Sequence, residues 1–168
     1  MFKNTVSIAR AGIIAGLYVV LSLVTFSISS GAVQLRASEL LTILPIFYIE
    51  AIPALFIGCI LSNFITGCAF LDVILGSIVT LVASILTYLI GKAFKNSALR
   101  IIFGGFFPVV LNAFLLPLIW IICYGVLEYV YYIQVLLLLA GQSLAVYLLG
   151  TPTYFAVKKL KSKHVRFF

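Results

Sequence analysis

Charged residues cut this chain into long uncharged stretches: Ala11 to Leu35, Leu40 to Ile49, Ala51 to Leu71, Val73 to Gly91, Ile101 to Leu127 and Tyr129 to Val157. Crossing a hydrocarbon layer of roughly 30 Å takes about 20 apolar residues in an α-helix. Four or five of the stretches are therefore predicted membrane spans on length and apolarity alone. The first follows Lys3 and Arg10 as a secretory signal would, but its uncharged run is far longer than the roughly 7–15 residues of a signal core, so it is predicted to be a helix of the mature protein.

The piece from Glu39 to Gly67 is harder to read. Pro45, Glu50 and Pro53 interrupt it, and it fits either one kinked helix or two short ones. Charge placement favours two. With two passes, Lys3, Arg10, Lys92, Lys95, Arg100, Lys158, Lys159, Lys161, Lys163 and Arg166 all fall on one face, and Arg36 alone lies on the other. One pass would split the basic residues between both faces, against the tendency of Lys and Arg to stay cytoplasmic. The expected architecture is an all-α membrane protein, one domain over residues 1–168. It is a bundle of six transmembrane helices with both termini cytoplasmic. About 13 residues per pass cover only roughly 20 Å, so helices two and three should be short and flanked by protein. Pro53 then suits the opening turn of helix three, and Glu50 marks the inner turn. Residues 92–99 should form an inner loop, 124–132 an outer one, and the basic tail after Val157, which includes His164, should lie on anionic lipid.

Composition agrees with a membrane setting. Hydrophobic residues make up 64% of the chain and charged residues 9%, whereas soluble domains carry about a quarter charged. The formal charge of +7 would suggest nucleic acid in a soluble protein, but here the basic residues sit at segment ends, and no nucleic-acid partner is expected. Cys59, Cys68 and Cys123 lack metal-type spacing and read as small apolar residues. No GxxxxGK[ST] phosphate loop, metal-ligand cluster or nucleophile–base constellation is present. The chain should bind neither ATP nor a cofactor and should not be an enzyme.

On the six-helix topology, Glu39, Asp72 and Glu128 fall at the outer face and Glu50 alone at the inner one. Gln34, Arg36 and Ser38 join the outer group, Asn63 lies near the outer end of helix three, and Asn112 and Gln142 fall near mid-depth. Amides at such depth are costly unless they face a cavity or one another. Their shared outer bias points to an outward pocket for a small, polar, planar ligand, with Arg36 and Glu39 at its rim and Asn63, Asn112 and Gln142 deeper. Competing readings stand beside this one. Arg36 and Glu39, three residues apart, suit a local ion pair. Asp72 at the start of helix four suits helix capping, and Glu128 among Tyr124, Tyr129, Tyr131 and Tyr132 suits interfacial anchoring. In helix one, Ala11 with Ala15 and Gly12 with Gly16 repeat at spacing four and flatten one face for close helix packing, internal or with a partner.

Two pieces, Val33-Gln34-Leu35-Arg36-Ala37-Ser38-Glu39-Leu40-Leu41-Thr42-Ile43-Leu44-Pro45 and Glu50-Ala51-Ile52-Pro53-Ala54-Leu55-Phe56-Ile57-Gly58-Cys59, resemble the queuosine-precursor transporter family, as does Leu71-Asp72-Val73-Ile74-Leu75-Gly76-Ser77. The resemblance implies the substrate-binding (S) component of an energy-coupling-factor (ECF) transporter. Such a component has an outward pocket and works with a separate transmembrane coupling (T) subunit and two cytoplasmic ATPases. It also implies that the small-residue face of helix one, with Ala11 and Ala15, docks on the coupling subunit. The implied substrate is a 7-deazaguanine base, in the first place the aminomethyl form, with Glu39 the first choice to accept its N–H edge and Arg36 or an amide to donate to its carbonyl. Gln142 departs from the family pattern, standing where an acid is expected. This leaves the cationic arm to Glu128 or Glu39, or else implies a neutral relative of the base. A self-sufficient facilitator or secondary transporter of a small polar solute is the alternative function.

Overall fold

The computed structural model describes residues 5–26 and 35–162. Gln34, Lys3, His164 and the last basic residues of the tail lie outside them. Every regular element among the described residues is helical. Helix α1 covers Thr5–Val24, and a 3-10 helix, η1, covers Ala37–Ile46. Then come α2 (Ala51–Ile65), α3 (Phe70–Ala93) and α4 (Ser97–Tyr124). The last rod is α5 (Tyr131–Ser143), a π-helical segment over Leu144–Leu149 and α6 (Gly150–Ser162). Four helices are long and apolar enough to cross a membrane: Thr5–Val24, Phe70–Ala93, Ser97–Tyr124 and the continuous rod Tyr131–Ser162. Two shorter apolar helices, η1 and α2, occupy the ambiguous stretch.

The two halves of that stretch manage their short length differently. As an α-helix the 10 residues of η1 would rise only about 15 Å. Wound as 3-10, at about 2.0 Å per residue, they rise about 20 Å. The 15 residues of α2 rise a similar distance, roughly 22 Å. Long 3-10 runs are uncommon, and this one is held from outside. Thr42 Oγ1 donates to the Glu39 carbonyl at 2.6 Å, and Leu41, Thr42, Ile43, Leu44, Pro45 and Ile46 are all buried by neighbouring helices. Pro45 is tolerated because it lies inside that protein-lined slot rather than against lipid. Pro53 stands in the first turn of α2, as its sequence position suggests.

The packing follows the small residues. On α3, Asp72, Gly76, Ser77, Thr80, Ser84, Thr87 and Gly91 are buried on one side, a face narrow enough for η1, α2 and α4 to press against. Its hydroxyls are satisfied at home or across the gap: Ser77 donates to the Val73 carbonyl, Ser84 to that of Thr80, and Thr87 to that of Gly104 on α4 at 2.8 Å. Helix α1 buries only a stripe of Ile14, Tyr18 and Ser22 at spacing four. Ile8, Ile13, Leu17 and Val20 point outward, as lipid-facing side chains do. Gly67 (φ 77°) and Gly125 (φ 74°) close the turns after α2 and α4, where a left-handed residue reverses the chain at low cost.

Two basins mark opposite ends of the bundle. One gathers Ser22, Arg36, Asn63, Asp72, Tyr124 and Glu128, and the other gathers Arg10, Glu50, Gly91, Lys92, Arg100 and Lys161. The start of α1 and the end of α6 therefore share one end, and the chain runs from the Arg36 end to the Glu50 end through η1. At the basic end Arg10 forms an ion pair with Glu50, its guanidinium 4.2 Å from the centre of the Tyr48 ring.

Candidate functional site

The Arg36 end holds a cavity of about 380 Å³. Its walls come from five parts of the chain: the end of α1 (Ser22, Phe26), Arg36 before η1, the end of α2 and its turn (Ser62, Asn63, Thr66, Gly67, Cys68), Asp72 at the start of α3, and Trp120, Tyr124 and Gln134 with the intervening loop (Val126 to Glu128). Helix ends converge here because the turns at Gly67 and Gly125 bring α2 to α3 and α4 to α5 within a few residues of the opening.

Within the wall, polar groups hold one another in place. Arg36 Nη1 donates to Asn63 Oδ1 at 3.5 Å, and Asn63 Nδ2 points to Cys59 Sγ at 3.5 Å. Tyr124 Oη donates to Asp72 Oδ2 at 3.0 Å and accepts from the Ala69 amide at the same distance. Gly76 lies beside both Asn63 and Asp72: a Cβ at that position would sit in ordinary contact, 3.5 Å from Asn63 Nδ2 and 3.6 Å from Asp72 Oδ1. The result is a guanidinium, an amide and a carboxylate around one space, with Trp120, Tyr124 and Phe26 supplying aromatic surface. Such a wall offers donors, an acceptor and a flat apolar face together.

A second polar layer lies beneath the wall. Glu39 is 2% exposed and accepts from Tyr18 Oη at 3.0 Å. The Asn112 side chain faces the Glu39 carboxylate and donates to Gln142 Oε1 at 3.2 Å. None of these four residues lines the cavity.

The residues singled out from the sequence are thus divided. Arg36, Asn63, Asp72 and Glu128 do come together on the cavity wall. Glu39, expected at the rim, is instead turned inward by the 3-10 winding of η1 against Tyr18, and no ion pair joins it to Arg36. Asn112 bonds Gln142 across the α4–α5 contact, the neighbour-bonding reading that the sequence left open, while Gln142 Nε2 is buried without a hydrogen-bond partner among the described residues. Asp72 sits in the first turn of α3, where the helix dipole favours it, but its carboxylate is engaged by Tyr124 in the cavity. Gln34 falls outside the described residues. On α1 the four small residues separate. Ala11 and Ala15 pack on the core beside α2, where a Cβ on Gly58 would stand 3.2 Å from the Ala15 carbonyl, whereas Gly12 and Gly16 open onto empty space. Sequence reasoning passed over Gln134 and Trp120. Gln134 is 2% exposed and lies eight residues, about two helical turns, before Gln142, the spacing by which it could have been found as a second buried amide.

Comparison with known proteins bears on what this cavity serves. The family described as "QueT transporter" matches the chain over residues 8–159. A "Queuosine precursor transporter QueT" from Lactococcus lactis subsp. cremoris (strain MG1363) is 39% identical over 96 residues, which is 56% of this chain and 56% of that protein. The chain thus matches about half the length of that relative. No solved structure matches it.

Proposed function

The chain belongs to the QueT transporter family, and from that premise we propose that it captures a queuosine precursor, a 7-deazaguanine base in its aminomethyl form, as the substrate-binding subunit of an energy-coupling-factor uptake transporter. It is a multi-pass membrane protein, and the positive-inside tendency orients its basic end to the cytoplasm and the cavity outward. The observation that carries the reading is the convergence of Arg36, Asn63 and Asp72 on one cavity at the end away from the basic cluster. A guanine-like edge presents N–H donors beside a carbonyl. Asp72 suits the donors and Arg36 or Asn63 the carbonyl, so the role first assigned to Glu39 passes to the carboxylate that is on the wall. The ring stacks against Trp120 or Tyr124. Two acids, Asp72 and Glu128, face one arginine in the lining, a balance that accepts a cationic arm without needing an acid at Gln142.

Energy in this reading comes from partners, since the sequence carries no phosphate loop. The open Gly12–Gly16 face of α1 is the surface offered to a transmembrane coupling subunit, and two ATPases act through that subunit.

Trp120 is the single tryptophan of the chain and lines the cavity, so its emission is a built-in binding signal. Titration of the purified protein with the aminomethyl base should change it saturably. Asp72→Asn should weaken binding about tenfold or more, the loss of one charge-assisted hydrogen bond being about 1.5–3 kcal/mol. Equal affinity in wild type and Asp72→Asn would remove Asp72 from the site. Absence of binding by any deazaguanine would overturn the substrate assignment, and equal affinity for the neutral cyano base would overturn the charge matching.

A further inference from the structure

The basin at the opposite end lies away from the Arg36 cavity and is lined by α1, η1 with the turn after it, α3, α4 and α6. It has a volume of about 610 Å³, and four cations enter it from separate elements: Arg10 from α1, Lys92 from α3, Arg100 from α4 and Lys161 from α6. Its one lining carboxylate, Glu50, is already engaged by Arg10. Arg100 spends its Nε on the Phe94 carbonyl that ends α3, and the ammonium groups of Lys92 and Lys161 rest over aromatic rings, Tyr88 at 5.5 Å and Tyr48 at 5.3 Å. Among the described residues, Lys92, Arg100 and Lys161 have no carboxylate partner. Three like charges brought together without a counter-charge repel one another, and an anion in their midst relieves that repulsion.

The surroundings indicate which anion. Ile8, Leu89 and Phe103, next to basin-lining residues along α1, α3 and α4, are exposed on the bundle's lipid-facing sides. Tyr48 and Tyr88 stand at the same level as the cations, where tyrosines mark a membrane–water boundary. A ligand that fits both parts has an anionic head and apolar tails. We infer that this basin is a specific site for the phosphate headgroup of an anionic phospholipid, held by Lys92, Arg100 and Lys161 between the ends of α1, α3, α4 and α6. Free phosphate shares the head chemistry but gains nothing from the apolar flanks. An acidic segment of a partner protein would use the charge without the tails.

The test uses the full chain reconstituted in nanodiscs of equal phosphatidylcholine and phosphatidylglycerol, released and weighed with its retained lipid by native mass spectrometry. Juxtamembrane cations contribute about 1 kcal/mol each toward anionic lipid, so the wild type should retain phosphatidylglycerol over phosphatidylcholine by about tenfold or more. Lys92→Gln with Lys161→Gln should abolish most of that preference. Lys95→Gln with Lys159→Gln, which removes two exposed charges at the same end outside the basin, should keep it. Circular dichroism verifies that both variants fold. Equal loss in the two double variants would reduce the effect to diffuse charge and overturn the site. Displacement of the retained lipid by inorganic phosphate at matched concentration, or equal retention of both lipids by the wild type, would overturn it too. So would unchanged lipid preference in the basin variant accompanied by failure to join its coupling subunit, because the basin would then be a protein contact.

Discussion

Ile46, the last residue of η1, is touched by two glycines in different ways, and the difference predicts how firmly that short helix is fixed. A Cβ added at Gly91 of α3 would lie 2.7 Å from Ile46 Cα and 2.8 Å from its carbonyl oxygen. One added at Gly104 of α4 would lie 2.8 Å from Ile46 Cδ1, the tip of the side chain. Carbon atoms in contact rest about 3.5–4.0 Å apart, so Gly91→Ala requires a displacement of about 1 Å in backbone. That backbone is locked between α3, α4 and the last rod. Overpacking of this kind costs about 1–3 kcal/mol, and the better helix propensity of alanine returns about 1. At Gly104 the clash is removed by rotating one terminal methyl, about 0.5–1.5 kcal/mol for an off-rotamer side chain, which the same propensity gain offsets. Gly91→Ala should therefore destabilise by up to about 2 kcal/mol, towards the upper end because backbone rather than a side-chain tip must move, and Gly104→Ala by close to none. Reversible unfolding of the purified protein in mixed micelles, followed by circular dichroism as denaturing detergent is added, measures both. Equal stability of Gly91→Ala and wild type would refute the account of η1 as a segment pinned through its backbone.

The remaining predictions concern the polar layers and the orientation. Tyr18→Phe removes the hydroxyl that donates to buried Glu39 and should cost about 1–3 kcal/mol in the same unfolding assay. Tyr154→Phe removes a buried hydroxyl without a hydrogen-bond partner among the described residues, and should be neutral or stabilising. A double-mutant cycle of Asn112→Leu and Gln142→Leu should return a coupling of about 0.6 kcal/mol, typical of hydrogen bonds between membrane helices; a coupling of zero would mean that the amides do not hold α4 to α5. Arg36→Cys, in a chain whose Cys59, Cys68 and Cys123 are replaced by alanine, should react in intact cells with a thiol reagent that cannot cross the membrane. Protection until the membrane is opened would place the cavity on the inside and sink its role in uptake.

The sequence by itself determined the quantities that follow from composition along a line. Runs of apolar residues have to be helical in lipid, where unpaired backbone groups are too costly, so the four long spans were legible from length and apolarity. The gathering of Lys and Arg at segment ends was enough to group the start and end of the chain on one side, and the structure puts Arg10, Lys92, Arg100 and Lys161 in one basin. The pieces around Arg36, Glu50 and Asp72 were enough to indicate the family. Depth along a span was legible too, which is why Asn63 and Asp72 were grouped at one end with Arg36, whose cavity they line.

Only the tertiary structure decided what each polar side chain faces. Rotation about a helix axis depends on the winding, and at Glu39 the 3-10 turn of η1 directs the carboxylate to Tyr18 rather than to the cavity. A pattern read with α-helical spacing carries no sign of that change, because the 3-10 winding of η1 is held by the helices that bury it. The same limit separates Ala15, closed against Gly58, from Gly16, open to its surroundings, although the two are neighbours in a small-residue run. It also brings Gln134 and Trp120 to the cavity from helices that the sequence could place in depth but not in azimuth. One-dimensional pattern fixes how far a residue lies through the membrane; contact between helices fixes its direction, and binding depends on both.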